Sequence, residues 1–268
     1  MRRSYAADPP IAHVRNGHVL DLFSFPPLAA ALDIASSALL ALTTALTPMA
    51  GTAAAAVAVL VITLMVRAAL IPVGISQARA EQTRFRLAPK LLALQRRFRK
   101  DPERLQRELQ KLYRDEQASP FAGLLPVLLQ APVIGILYAV FMHPTIAGHA
   151  NTLLQEELFG VPLGASLAGS LGAGVTDPGT LLVFGAVVLS IAVVGELTRR
   201  FLRMPEQPRD PDDAPAVAVP PALLGALQFV VAVVAVFVPL AAGLYLAVTV
   251  AWTFVQRLIL RRRYPLVA

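Results

Sequence analysis

The 268-residue chain has no cysteine and few charged or aromatic residues. Without cysteine it can form no disulfide, thiolate nucleophile or cysteine-ligated metal site. Only 15% of its residues are charged, against roughly a quarter in typical soluble domains, and 56% are hydrophobic. Its four histidines lie apart, without the spacing of a metal site. The composition favours an integral membrane protein without cofactor or metal.

Long uncharged stretches are the main positive feature. A helix needs about 20 mostly apolar residues to cross a bilayer. Five predicted spans meet this requirement: residues 53–74, 120–142, 179–202, 220–238 and 240–260. The last two share an uncharged run of 43 residues, 214–256, which as one helix would be about 65 Å long. It must therefore fold back, and Pro239 is the predicted turn because proline breaks the helical hydrogen-bond ladder.

The apolar stretch Leu28–Leu46 has two interpretations. Asp33 and several hydroxyl side chains interrupt it, and its leucines recur roughly on one helical face. This pattern predicts an amphipathic helix lying in the membrane interface, within residues 22–52. A sixth crossing helix is the alternative.

The basic residues predict the topology. Residues 75–119 hold 12 of the 24 lysines and arginines, and residues 143–178 hold none. Because cytoplasmic flanks collect basic residues, 75–119 is predicted inside and 143–178 outside. The same rule places the loop 203–219 and the C-terminal residues 261–268 in the cytoplasm. Residues 1–21 are expected to be a disordered tail, with no evident signal peptide.

Residues 75–119 are predicted to form a helical hairpin. Its first helix runs from about Gln77 to Lys100. Asp101, Pro102 and Glu103 form a typical helix start, with Asp101 as N-cap. The positive charge is either an ordinary solvated surface or a platform for lipid headgroups or ribosomal RNA.

Proline recurs every six residues in the second predicted span, at Pro120, Pro126 and Pro132. Pro120 suits a helix start. Pro126 and Pro132 are expected to kink the helix and to free backbone carbonyls, which must be satisfied inside the protein or by water.

One arginine, Arg67, lies within the first predicted span. A charge there costs about 2.5–3.5 kcal/mol on insertion scales and usually faces a bundle interior or a wet cavity. The alternative is snorkelling, because Gly74 and the headgroups are only about 10 Å further along the helix.

Other polar residues lie near the depth of Arg67 or on a face leading to it. These are Thr63, Gln130, Glu196, Tyr245, Thr249, Trp252 and Gln256. Together they predict a polar cavity around Arg67, with ordinary helix–helix hydrogen bonding as the alternative. Glu196 is either the partner of Arg67 or an interfacial acid.

Four segments of the sequence resemble the YidC/Oxa/Alb insertases. The segment 22–27 is similar to the entry of actinobacterial members, and 66–72 to the first core helix with its arginine. Residues 119–132 are similar to the next core helix, and 237–245 to the turn between the last two. The basic hairpin lies between the first two predicted spans, as it does in this family. No single segment is specific to this family, but the order of all four along the chain is.

The resemblance implies an all-α integral membrane protein with a five-helix core, a cytoplasmic hairpin and an N-terminal interfacial helix. It implies a hydrophilic groove, containing Arg67, that is closed to the outside. The implied function is a non-enzymatic insertase and chaperone of the bacterial plasma membrane. Nascent membrane proteins would be its substrates, and the ribosome and the Sec translocon are candidate partners; no DNA partner is expected. The sequence departs from the family in two ways. It shows no large extracytoplasmic domain of the kind that Gram-negative members carry, and no long basic C-terminal tail, the second of which weakens the case for stable ribosome tethering.

Two other functions remain open. A small-solute transporter is one, although no internal repeat is evident and five spans do not form equal halves. A non-catalytic membrane scaffold is the other.

Overall fold

A computed structural model describes residues 26–119, 125–143, 145–146, 149–175, 177–202 and 229–266. Within these residues the protein is almost entirely helical, as predicted. Its helices are α1 Pro26–Ala50, α2 Ala54–Ala69, α3 Ile71–Arg97, α4 Pro102–Asp115, α5 Leu125–Met142, α6 Leu167–Gly172, α7 Pro178–Phe201, α8 Val230–Phe237 and α9 Leu240–Arg263. Two small antiparallel hairpins, β1 Thr145–Ile146 with β2 His149–Ala150 and β3 Glu157–Leu158 with β4 Val161–Pro162, precede α6.

Three stretches among the described residues are long and apolar enough to cross a membrane: Ala30–Ala69, Pro178–Phe201 and Leu240–Arg263. Helices α5 and α8 lie in the second and fourth predicted spans. The tail 1–21, Pro120, the loop 203–219 and the first half of the fourth span lie outside the described residues. The number of crossings therefore remains a prediction.

The first of these stretches bends at a short 3-10 turn, Gly51–Ala53, where Gly51 has a φ of 55°. Only glycine adopts this left-handed conformation at little cost. Beyond the turn the chain folds back, so that α1 packs against α2 and α5. The predicted leucine face of α1 is buried there, with Leu32 and Leu39 in the core.

Helix α2 and the first hairpin helix are nearly continuous, which the sequence prediction missed. The hairpin helix was expected to begin near Gln77, but α3 begins at Ile71, with only Leu70 between it and the end of α2. Pro72 explains the break, because its nitrogen cannot donate the next helical hydrogen bond. Arg67 thus lies in the last turn of α2.

The hairpin itself forms as predicted, with α4 after α3. The carboxylate of Asp101 accepts a hydrogen bond from the Arg104 backbone N–H at 3.0 Å, which caps α4. After α4, Glu116 pairs with Lys90 and, at 3.3 Å, with Arg86 of α3. The Lys90 ammonium holds the pKa of the Glu116 carboxyl below its usual range.

Prolines act differently in α5 and before α9. Pro126 is the second described residue of α5, and the residues just before Leu125 lie outside the described part of the structure, so its expected kink stays a prediction. Pro132 lies inside the same helix. Pro239 separates α8 from α9, which confirms the predicted turn.

The hydrophobic core is concentrated at one end of the bundle. We call this the loop end, because residues 145–146 and 149–175 lie there, and we call the opposite end, which carries α3 and α4, the hairpin end. The core combines the first half of α2, the second half of α5 and the first turns of α9. In α9, the buried residues stop at Tyr245.

Hydrogen bonds to backbone carbonyls hold the loop against the helices at the loop end. The buried Asn151 side chain donates to the carbonyls of Val140 at 2.7 Å and His143 at 3.0 Å, at the end of α5. The first N–H groups of α9, from Leu240 and Ala241, donate to loop carbonyls at 2.8 and 2.9 Å. Helix ends leave such groups without partners inside the helix, so these bonds fix the loop onto the bundle.

Candidate functional site

Arg67 is buried although it is charged. Only 8% of its surface is exposed, and Thr63, one turn earlier on the same face, is fully buried. The Thr63 hydroxyl is satisfied by the Val59 carbonyl at 2.6 Å. Small residues in the first turns of α2 allow close packing at the loop end, so the arginine lies where that packing ends.

Arg67 lines a cavity of about 160 Å³ at the hairpin end. One wall comes from α2 and α3 and the other from the second half of α9. Its lining includes the polar residues Arg67, Gln77, Glu81, Thr253, Gln256, Arg257, Arg261 and Tyr264. The cavity is therefore polar and mostly basic, with Glu81 as the acid in its lining.

The predicted polar stripe of α9 continues from this cavity toward the loop end. The Trp252 indole N–H donates to Gln256 Oε1 at 3.0 Å. One and two turns deeper, the buried hydroxyls of Thr249 and Tyr245 have no hydrogen-bond partner among the described residues. Buried polar atoms normally have partners, so this track is suited to water or to a polar ligand.

Glu196 does not fit the predicted cluster. Its carboxylate accepts two hydrogen bonds from Arg199, both at 2.7 Å, and one from Arg200 at 2.5 Å. These are neighbours on the same face of α7, so the charge of Glu196 is balanced within its own helix. Of the two interpretations, the structure favours an interfacial acid over a partner of Arg67. Gln130 belongs to α5, and its side chain lies outside the described part of the structure.

The contribution of α3 to the cavity was missed from the sequence. Gly74, Gln77 and Glu81 follow Arg67 at helical spacing, but the prediction ended the first span at Gly74 and began a separate helix. Because α3 follows α2 so directly, its first turns extend the cavity wall. The spacing of these three residues from Arg67 was the available signal.

Among the described residues, no group of three or more histidine and acidic side chains could hold a metal ion. Chemically, the site offers a fixed positive charge, hydroxyls, amides and room for a few water molecules. Such a site can bind and hydrate carboxylates or peptide carbonyls without bond-making groups of its own.

Comparison with known proteins gives consistent relatives. Residues 46–266 match the family described as "60Kd inner membrane protein". The chain is 36% identical over 85 residues to the membrane protein insertase YidC of Clostridium perfringens, covering 32% of this chain and 36% of that one. It is 37% identical over 119 residues to the YidC of Histophilus somni strain 2336, covering 41% and 22%. For the YidC of Aquifex aeolicus the identity is 38% over 84 residues, covering 31% and 17%.

These alignments span only 17 to 36% of the length of the three relatives. The family match, in contrast, runs through α2, the hairpin, the cavity and α9. The chain therefore belongs to the 60Kd inner membrane protein family, that is, the YidC/Oxa family.

Proposed function

We propose that the protein is a membrane protein insertase and chaperone of the bacterial plasma membrane, with the hairpin end and the C-terminus in the cytoplasm. One observation carries this proposal: a buried arginine faces a polar cavity at the hairpin end, while the loop end is closely packed. The names of the three relatives support it.

The cavity would act as a groove for the polar tail of a substrate. Moving a polar segment across a dry bilayer exposes its peptide groups to hydrocarbon, at several kcal/mol for each unsatisfied group. A wet groove that reaches part of the way shortens the dry distance. In this proposal Thr63, Tyr245, Thr249, Trp252 and Gln256 line the groove with Arg67.

Arg67 would bind acidic side chains or carbonyls of the tail through charge-assisted hydrogen bonds. The apolar helix of the substrate would then leave sideways into lipid, driven by burial of its surface in hydrocarbon. The tail is released to the outside. No nucleotide or metal takes part, so the protein is not an enzyme in this account.

The basic hairpin would face the cytoplasm and receive partners. Its positive surface suits anionic partners, and we propose the ribosome and the Sec translocon as candidates. Salt-sensitive binding of purified ribosomes, reduced when Arg99 and Lys100 are both changed to Ala, would support the first of these.

A reconstitution experiment tests the function. Purified protein in liposomes is given a single-span substrate with an acidic N-terminal tail, and protease protection of the tail measures insertion. We expect insertion well above that of empty liposomes. If the protein inserts no substrate but transports a small solute, the transporter alternative replaces the proposal.

A further inference from the structure

The last described residues, Tyr264–Leu266, leave α9 and cross to α3. We call them the C-terminal strap. Arg79 Nε donates a hydrogen bond to the Tyr264 hydroxyl at 3.1 Å, and the Arg79 guanidinium lies 5.5 Å from the centre of the same ring. Gln82 Nε2 donates to the Pro265 carbonyl oxygen at 3.1 Å. The strap is thus held by side chains one turn apart on α3.

The strap also borders the groove. Tyr264 and Leu266 line the same cavity as Arg67, together with Gln77 and Glu81 of α3. Both are only partly exposed. A polypeptide that binds in the cavity beside Tyr264 and Leu266 would therefore contact the strap or displace it.

The chemistry of this contact is general for peptides. Arg79 binds the face and hydroxyl of an aromatic ring, and Gln82 binds a main-chain carbonyl. Every extended peptide offers such a carbonyl, and any tyrosine offers such a ring. A substrate peptide could therefore make the same two contacts that the strap makes.

We propose that Arg79 and Gln82 form a peptide-binding site at the mouth of the groove, for an extended segment that carries an aromatic residue. The strap occupies this site at rest, and the incoming substrate displaces it. This inference rests on the proposed insertase function and adds a second contact, outside the Arg67 cavity, where a substrate binds first.

A reversible link tests the displacement. Because the chain has no cysteine, the pair Gln82→Cys and Pro265→Cys can be joined specifically by a short, reducible bis-thiosulfonate. We expect the linked variant to insert a cysteine-free substrate at least fivefold more slowly than the same variant before linking, and reduction should return it to the rate of the unlinked variant. The control pair, Arg86→Cys and Glu116→Cys, joins groups that lie 3.3 Å apart in the hairpin and should leave insertion unchanged when linked.

The outcomes separate the two proposals. If the unchanged protein inserts nothing, the insertase function fails. If the unchanged protein inserts substrate but the 82–265 variant inserts equally well linked and unlinked, or if this pair does not link, only the strap site fails. A photoreactive benzoylphenylalanine at position 82 should also capture an arrested substrate, at least threefold less when the aromatic residues of the substrate tail are replaced by alanine. Capture that ignores these aromatic residues would overturn the proposed specificity.

Discussion

The side chain of Gln256 lies directly over Gly74, so closely that a Cβ atom on residue 74 would overlap its amide nitrogen. A Cβ atom at position 74 would push the Gln256 amide aside, because α3 and α9 approach each other at the wall of the cavity. The contact joins the first turns of α3 to the polar stripe of α9 and positions Gln256 to accept from Trp252.

We predict that Gly74→Ala moves the Gln256 side chain and breaks its hydrogen bond with Trp252. Trp252 is the only tryptophan, so its fluorescence reports this bond without interference. The emission maximum should shift, with the same sign in Gln256→Leu, and insertion should fall about threefold to tenfold, corresponding to the roughly 0.5–1.5 kcal/mol of a typical hydrogen bond. Gly135→Ala is the matched control, since a Cβ there meets nothing within 4 Å. An unchanged spectrum in Gly74→Ala would contradict the contact.

The cap made by Asn151 should be essential for stability. Asn151→Ala leaves the Val140 and His143 carbonyls without their donor, which costs about 1–3 kcal/mol for buried groups. Thermal unfolding in detergent should show a clearly lower midpoint, and Asn151→Asp should not restore it because a carboxylate cannot donate. Thr152→Ala, at an exposed neighbour, is the control. Equal midpoints for Asn151→Ala and Thr152→Ala would refute the cap.

Glu196 should matter little for insertion. It was predicted to share the cavity with Arg67, but it pairs with Arg199 and Arg200 on α7. Such largely exposed pairs contribute about 0.2–1 kcal/mol. We expect Glu196→Gln to insert substrates within twofold of the unchanged protein in the liposome assay. A loss of insertion as large as that of an Arg67 variant would show instead that Glu196 contributes to the groove.

The strap should respond to pH. Its hydrogen bond from Arg79 lowers the pKa of the Tyr264 hydroxyl. The hydroxyl has a lower pKa when the strap is bound to α3 than when the strap is free. The strap should therefore bind α3 more tightly as the pH rises through the lowered pKa, and this gain is lost as the pH falls back through it. The absorbance difference between the unchanged protein and Tyr264→Phe should show early tyrosinate formation. In Arg79→Ala the same tyrosine should titrate later; identical curves would exclude the contact.

The sequence predicted the features that depend on local patterns. Asp101 as N-cap, the turn at Pro239 and the buried leucine face of α1 follow from capping, proline geometry and periodicity. The polar stripe from Tyr245 to Gln256 was visible as helical spacing. These are properties of single helices, which the order of residues specifies directly.

What depends on contacts between helices could not be read in this way. Which groups face Glu196 across the bundle was one such feature: depth along the bundle suggested Arg67, but Glu196 pairs with Arg199 and Arg200 of its own helix. The approach of Gly74 to Gln256 and the position of the strap against Arg79 join residues about 180 positions apart. The periodicity of the sequence carries no information about contacts between residues so far apart in the chain.

The central claim is that the buried charge of Arg67 serves the substrate. The most direct measurement is insertion of an acidic-tailed single-span substrate by liposomes with unchanged, Arg67→Lys or Arg67→Ala protein. A charge-assisted bond contributes about 1.5–3 kcal/mol, so Arg67→Ala should insert about tenfold or more slowly and Arg67→Lys should lose less. Thermal unfolding should confirm that all three proteins are folded. Normal insertion of every such substrate by folded Arg67→Ala would contradict the account.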